Sequence, residues 1–226
     1  ATVFWLAACG AVLLLTQSAT VALSTVGCFL VIVGLVVQRR VPVRWRLRVI
    51  GAFTAVGIAA AVGAFFARHM IADAFGRSPD MSGRSIIWRR AAALIAEHPI
   101  GGWGWFIGWP TSIEPFSSLV IRNDGTATNQ AHNVYVEAAL TTGFVGAAII
   151  TGAIVWTLFR VVKVAVAHID DNLWDVIPAV LMIAMFIQSF TESRLLFEGN
   201  WMLFVVIATW VKVRGEVPLV WPSAAR

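Results

Sequence analysis

Long apolar runs separated by short polar stretches dominate the sequence. A run of about 17–25 apolar residues is long enough to cross a bilayer as a helix. We therefore predict an all-α protein, a polytopic transmembrane helix bundle with about six membrane helices. The predicted spans are residues 1–15, 19–37, 49–67, 144–159, 174–190 and 201–213, of which the first is short, as a truncated or tilted helix would be.

Charges in the connections predict the orientation of the bundle. Residues 38–48 hold five arginines and no acidic residue, which places this connection in the cytoplasm by the positive-inside rule. Alternation then puts residues 16–18, 68–143 and 191–200 outside, and residues 160–173 and the tail from Lys212 inside. The stretch 68–143 has six Arg and six Asp/Glu, so it shows no cytoplasmic bias. We expect a single membrane domain over residues 1–226, with residues 68–143 as a large helical extracytoplasmic loop.

Composition supports membrane burial and narrows the range of partners. Hydrophobic residues make up 59% of the chain and charged residues 13%, whereas soluble domains average about 45–50% and 25%. Membrane lipids are therefore expected partners. The net charge of +5 is explained by arginines that mark cytoplasmic loops, and with only two lysines no basic patch indicates nucleic acid.

Cysteine usage and the start of the chain lead to two further expectations. Cys9 and Cys28 lie in apolar runs without a second Cys or His at ligand spacing, so we expect no metal site and no cofactor. The chain starts Ala1-Thr2-Val3, with no charged region before the first apolar run, which is unlike a signal peptide. We expect it to be the C-terminal half of a larger membrane protein, acting with that N-terminal half or a partner chain.

Two helices are predicted inside the outer loop. The first runs from Arg84 to about His98, capped by Ser82 and ended by the Pro99 to Gly102 segment. One stripe of this helix holds Ile87, Ala91, Leu94 and His98. Four tryptophans place this helix along the outer membrane interface: Trp88, Trp103, Trp105 and Trp109. The second helix covers residues 131–142, is capped by Thr128 or Asn129, and ends at Gly143. Residues 101–104 are expected to form a turn that permits close backbone approach.

Arginines and one histidine of this loop could carry chemistry. Arg84, Arg89 and Arg90 cluster on the first helix, where Arg84 and Arg90 cannot point the same way; the planar guanidinium suits phosphate, but it could also simply reach lipid phosphates. His132 is expected in the first turn of the second helix, where the positive helix end disfavours imidazolium and leaves a ring able to accept a proton. A structural hydrogen-bonding role is the alternative. Asn133 and Glu137 are expected to order the network around it.

The ordered set of loop motifs resembles the O-antigen ligase and polymerase family of bacterial membrane glycosyltransferases. The resemblance covers roughly residues 13–213 and rests on a set of short segments: Leu13-Leu14-Leu15-Thr16-Gln17-Ser18, Ser82-Gly83-Arg84 with Trp88, His98-Pro99-Ile100-Gly101-Gly102-Trp103-Gly104, Ala131-His132-Asn133-Val134-Tyr135-Val136-Glu137, and Gly143-Phe144-Val145-Gly146.

This resemblance implies a metal-independent enzyme of the bacterial cytoplasmic membrane. It would transfer a glycan from an undecaprenyl-diphosphate carrier to a glycan or lipid-glycan acceptor on the outer face. His132 would be catalytic and Arg84 a diphosphate ligand, with Arg89, Gln17, Asn133 and Glu192 as further substrate-binding candidates. Family members often carry Arg or Lys where this chain has Ala19, so Arg89 or Arg194 could supply that contact.

Two other classes of function compete with the enzyme. A transporter or flippase of lipid-linked sugars would need polar residues or broken helices at mid-membrane depth, whereas the predicted spans are largely free of charge. A purely structural role as a membrane partner would not explain why Arg84 and His132 occur in the outer loop. The sequence leaves open whether a ligase or a polymerase is present, and which sugars are joined.

Overall fold

All the regular secondary structure in the described part of the chain is helical. The computed structural model describes residues 4–5, 10–12, 15, 19–66, 84–106, 108–119, 128–170 and 173–215. Short 3-10 turns at Leu173–Asp175 and Arg194–Leu196 accompany the longer helices, and no strand occurs in these ranges, so the all-α class is confirmed. The helices are α1 (Ala19–Gln38), α2 (Val43–Phe66), α3 (Arg84–Glu97), α4 (Val134–His168), α5 (Val176–Ser189) and α6 (Glu198–Gly215).

The helix bounds differ from the predicted spans mainly where basic residues occur. Among the described residues, α4 alone is both long and apolar enough to cross a membrane, and α5 is apolar but shorter. The count of six membrane helices therefore stays a prediction. The expected ends at residues 49 and 159 are wrong as helix ends, because α2 already begins at Val43 and α4 continues to His168. Arg and Lys are good helix formers, so charge does not end a helix.

Helix α4 organises the packing. Its buried face joins α5 and α6 in an apolar core that includes Ile154, Val161, Met182 and Phe204. At its start it packs against α3 and the segment 98–119 in a second core. On α3 the stripe residues Ile87, Ala91 and Leu94 are buried as predicted. The placement of His98 on the same stripe is wrong, because His98 follows the end of α3 and is exposed, with its ring edge-on to Trp103.

The connections gather at two ends of the bundle. At one end the Arg46 guanidinium pairs with the Asp170 carboxylate at 2.6 Å, and Arg214 lies 3.2 Å from Asp175. Arg46, Asp170 and Arg214 belong to the three segments predicted to be cytoplasmic. At the other end the starts of α3 and α4 meet the turn after α5. The grouping is the one that the predicted topology requires; which end faces the cytoplasm stays a prediction.

Candidate active site

The turn after α3 and the bend in α4 fit together through two glycines. The main-chain N–H of Trp103 donates to the Leu140 carbonyl at 2.9 Å, and the N–H of Phe144 donates to the Pro99 carbonyl at 2.7 Å. Gly102 (φ +68°) and Gly143 (φ +66°) both adopt left-handed backbone. A Cβ at Gly102 would lie 2.5 Å from the Gly143 nitrogen. The expected close approach at residues 101–104 is confirmed. At Gly143, where the second helix was predicted to end, the backbone leaves the helical conformation and α4 bends, but the helix then continues.

Helix α4 begins at Val134, three residues later than predicted, and Asn133 is its N-terminal cap. Its Oδ1 accepts hydrogen bonds from the N–H groups of Tyr135 at 2.9 Å and Val136 at 3.1 Å. The prediction that Thr128 or Asn129 is the cap is therefore wrong, because Asn133 itself satisfies the free donors of the first turn. His132 precedes the cap with a φ of 51°, so its expected place inside the first helical turn is wrong too.

Glu192 brings Arg84 and His132 together. One carboxylate oxygen of Glu192 lies 3.3 Å from Nη2 of Arg84, and the other lies 3.3 Å from Nδ1 of His132. The three side chains are 17–23% exposed, which leaves them accessible to a ligand. Because a carboxylate only accepts hydrogen bonds, it selects the histidine tautomer that donates from Nδ1 and accepts at Nε2. Three candidates from distant parts of the sequence thus form one cluster, which we call the Arg84–Glu192–His132 cluster.

Asn133 is hydrogen-bonded to the turn that carries Glu192. Its main-chain N–H donates to the Ser193 hydroxyl at 3.1 Å, and its Nδ2 donates to the Phe190 carbonyl at 3.2 Å. With Oδ1 capping α4, both ends of the carboxamide are engaged by the protein. These contacts tie the start of α4 to the turn that carries Glu192, and the substrate-binding role of Asn133 stays a prediction.

The other arginine candidates on α3 do not join the cluster. Arg89 is exposed on α3, about 140° around the helix from Arg84 at 100° per residue. Arg90 donates to the main-chain carbonyls of Ser118 and Leu119, so it points away from Arg84 as expected. Gln17 lies outside the described residues.

Glu137 is the centre of a buried hydrogen-bond network that includes Ala131, the residue before His132. One carboxylate oxygen accepts the Trp109 indole N–H at 2.8 Å; the other accepts the Ala131 main-chain N–H at 2.7 Å and the Ser193 hydroxyl at 3.1 Å. Burial raises the pKa of the Glu137 carboxyl above its ordinary 4.5, and the three donors partly offset this shift. Glu137 precedes the bend at Gly143 and lies outside the predicted span. Asn133 and Glu137 thus both make hydrogen bonds to the chain around His132, and their role in ordering a site stays a prediction.

Sequence reasoning missed Trp109 and Ser193 as parts of this network. Trp109 was grouped with interfacial tryptophans, yet its side chain is only 2% exposed, and Ser193 is fully buried. Ser193 follows Glu192 directly, and that adjacency is the signal that could have identified it. In the described part of the chain no three His, Cys, Asp or Glu side chains lie close enough to hold a metal ion.

Comparison with known proteins agrees with these motifs. Residues 2–151 match the O-antigen ligase family. The chain belongs to this family. The exopolysaccharide production protein ExoQ of Rhizobium meliloti (strain 1021) is 26% identical over an alignment that covers 93% of this chain and 50% of that protein. The chain thus spans about half the length of this relative. No solved structure matches the present chain.

Proposed function

We propose that the Arg84–Glu192–His132 cluster is the active site of a membrane glycosyltransferase for bacterial surface polysaccharide. The enzyme transfers a glycan from an undecaprenyl-diphosphate carrier to a hydroxyl of a glycan or lipid-glycan acceptor, on the outer face of the cytoplasmic membrane. Membership of the O-antigen ligase family and the similarity to an exopolysaccharide production protein support this class of reaction. The observation that carries the proposal is the bridge from Glu192 to both Arg84 and His132.

The chemistry needs a base and charge stabilisation more than a strong acid. The bond between the sugar's anomeric carbon and the diphosphate oxygen breaks, and the diphosphate leaves with the bonding electrons. A new bond forms from the acceptor hydroxyl oxygen to that carbon, and the hydroxyl proton moves to Nε2 of His132. Glu192 stabilises the imidazolium that results. Diphosphate is already a good leaving group, so donors that hold its charge contribute most of the remaining catalysis.

Arg84 is the proposed diphosphate ligand. Its guanidinium has five N–H donors, and Glu192 is contacted through one nitrogen, Nη2, at 3.3 Å. The remaining donors can bind phosphate oxygens while Glu192 holds the side chain in place. Arg89, on a different face of α3 from Arg84, and Gln17 stay proposed additional contacts. The enzyme uses no metal in this account, because arginines replace the cation that would otherwise neutralise the diphosphate.

The left-handed backbone of His132 is stabilised by hydrogen bonds of the neighbouring residues. A left-handed conformation costs a residue other than glycine about 1–2 kcal/mol. Here the amides on both sides are fixed, since the Ala131 N–H binds Glu137 and the Asn133 N–H binds Ser193. This arrangement supports a catalytic orientation of the ring, as backbone strain concentrates at functional sites.

Reconstituted transfer is the test of the proposed function. The complete gene product in nanodiscs is supplied with a defined lipid-linked glycan and an acceptor, and product is measured by mass. Arg84→Ala should weaken donor binding and lower transfer by about 100-fold. Arg84→Lys should restore little, because an ammonium cannot replace the guanidinium fork. The matched control is Arg48→Ala, an exposed arginine that stacks on Trp45 at the other end of the bundle.

Two results would count against this function. Full transfer by Arg84→Ala would remove the diphosphate role. Movement of the lipid-linked glycan across proteoliposome membranes, without any transfer, would instead favour the flippase.

A further inference from the structure

An open groove lies beside the proposed active site. It has a volume of about 490 Å³ and is lined by Asn129, Gln130, Arg194, Phe197 and Asn200. Two lining segments lead directly into the cluster, since Gln130 is two residues before His132 and Arg194 is two residues after Glu192. A ligand in the groove would therefore reach the residues that carry the proposed chemistry.

The lining chemistry favours a sugar over a phosphate. Three carboxamides, from Asn129, Gln130 and Asn200, offer both donors and acceptors. The Gln130 Oε1 atom is buried and accepts no hydrogen bond among the described residues. An unsatisfied buried acceptor needs a donor, which a sugar hydroxyl provides and an ionised phosphate oxygen does not. Hydroxyls also accept, so they match the carboxamide N–H groups and the Arg194 guanidinium.

Two tryptophans are close in sequence to residues that line the groove. Trp105 is three residues before Gly108, which is also part of the lining. Trp105 is half-exposed, and its ring centroid lies 6.3 Å from that of Trp201, the residue after Asn200. Indole offers a flat apolar face with one polar N–H. The C–H faces of a pyranose ring pack on such a surface while the hydroxyls around its edge bind carboxamides. Polar groups near a half-exposed indole and the partly buried indole beside it thus suit a chain of several sugars.

We propose that this groove binds the sugar residues of a glycan substrate next to the bond that is made or broken. The inference rests on the proposed function, because that function supplies the glycan and places the reacting bond at His132. The ligand chemistry is that of pyranose hydroxyls, and it could come from the donor's glycan or from the acceptor. Kinetic measurements on both substrates distinguish these sources.

Binding of a free glycan tests the groove without catalysis. The probe is a set of oligosaccharides released by mild acid from the surface polysaccharide of the source bacterium, with neither lipid nor phosphate. Binding to the complete gene product in nanodiscs is followed by tryptophan fluorescence. The Gln130→Leu/Asn200→Ala double variant should bind at least tenfold more weakly than wild type. The matched control, Gln188→Leu on α5, should bind as wild type does, and inorganic pyrophosphate should not compete.

Several results would refute the proposal that the groove binds a glycan. Unchanged glycan affinity in the double variant would do so, as would displacement of the glycan by pyrophosphate. If the double variant does not fold, the single variant Asn200→Ala should still bind about threefold more weakly, and wild-type affinity there refutes the proposal. In the transfer assay, the KM for the donor or for the acceptor should rise about tenfold in the folded groove variant, and the affected substrate identifies the glycan.

Failure of the groove can be told from failure of the proposed function. A wild-type protein that binds the oligosaccharides through Gln130 and Asn200 but never transfers a glycan would refute the enzyme and keep the glycan site. Normal transfer with an unchanged KM for both substrates in the folded groove variant would refute the site and keep the enzyme.

Discussion

Replacing Glu137 with leucine would leave three buried donors without an acceptor. The Trp109 indole, the Ala131 amide and the Ser193 hydroxyl all donate to this carboxylate, whose residue is 1% exposed. Each orphaned buried donor costs about 1–3 kcal/mol, so the lower limit for the set is about 3 kcal/mol. At roughly 2–4 °C per kcal/mol for a chain of this size, the melting temperature should fall by about 6–12 °C.

Glu137→Gln should cost less, because the amide keeps the shape and one acceptor oxygen. That oxygen can serve the donors on one side of the former carboxylate, while the amide nitrogen faces the donors on the other side. We expect a loss of about 1–3 kcal/mol, between wild type and leucine. The exposed residue Glu97 supplies the matched control, since surface substitutions usually stay within about 0.5 kcal/mol.

Melting curves followed by tryptophan fluorescence would measure these differences. The expected order of melting temperature is wild type and Glu97→Leu, then Glu137→Gln, then Glu137→Leu. If Glu137→Leu melts within about 1 °C of wild type, the donors have other partners and the network does not stabilise the site.

The pH dependence of stability provides an independent check on Glu137. Burial raises the pKa of its carboxyl in the folded protein above the ordinary 4.5, so the folded state holds this proton more tightly than the unfolded chain does. Stability therefore falls as pH rises from about 4.5 to the folded pKa. Glu137→Gln, which cannot ionise, should lack this part of the slope. An identical pH profile for wild type and Glu137→Gln would contradict the raised pKa.

Three further predictions concern the loop, the metal and the topology. Gly102→Ala should lower melting temperature and transfer, because its Cβ would meet the Gly143 backbone, whereas Gly101→Ala meets nothing within 4 Å and should be neutral; equal effects would contradict the close approach. Transfer should survive EDTA, and loss of activity that Mg²⁺ or Mn²⁺ restores would reveal a metal site. In a background without native cysteines, Ser112→Cys should react with an impermeant thiol reagent in intact cells and Pro42→Cys only after permeabilisation; the reverse pattern would invert the topology.

Local signals predicted the parts of the fold that depend on neighbouring residues. Helix α3 begins at Arg84 and buries the predicted stripe, because a 3.6-residue period specifies one apolar face. The break in helical backbone at Gly143 and the turn at Gly102 followed from glycine's access to left-handed backbone. The meeting of Arg84, His132 and Glu192 was expected only through the family resemblance, since no local pattern joins residues this far apart.

Tertiary contacts decided the parts that could not be predicted. Thr128, Asn129 and Asn133 are all plausible caps by residue type, and the choice depends on Glu137, which binds the Ala131 N–H and holds the chain non-helical before Asn133. The end of α4 was misjudged because Arg160 was read as a loop residue. Its guanidinium instead lies over the Trp156 ring, 5.8 Å from the centroid, so the charge is accommodated on the helix.

Turnover of His132→Ala is the most direct test of the central claim that the Arg84–Glu192–His132 cluster performs glycan transfer. Turnover, affinity for the lipid-linked donor and melting temperature are measured on one preparation of the complete gene product. If His132 takes the acceptor's proton, turnover should fall by about 100-fold or more. Donor affinity should stay within about twofold, because Arg84 holds the diphosphate. Normal turnover in His132→Ala, with or without a lower melting temperature, would contradict the catalytic assignment.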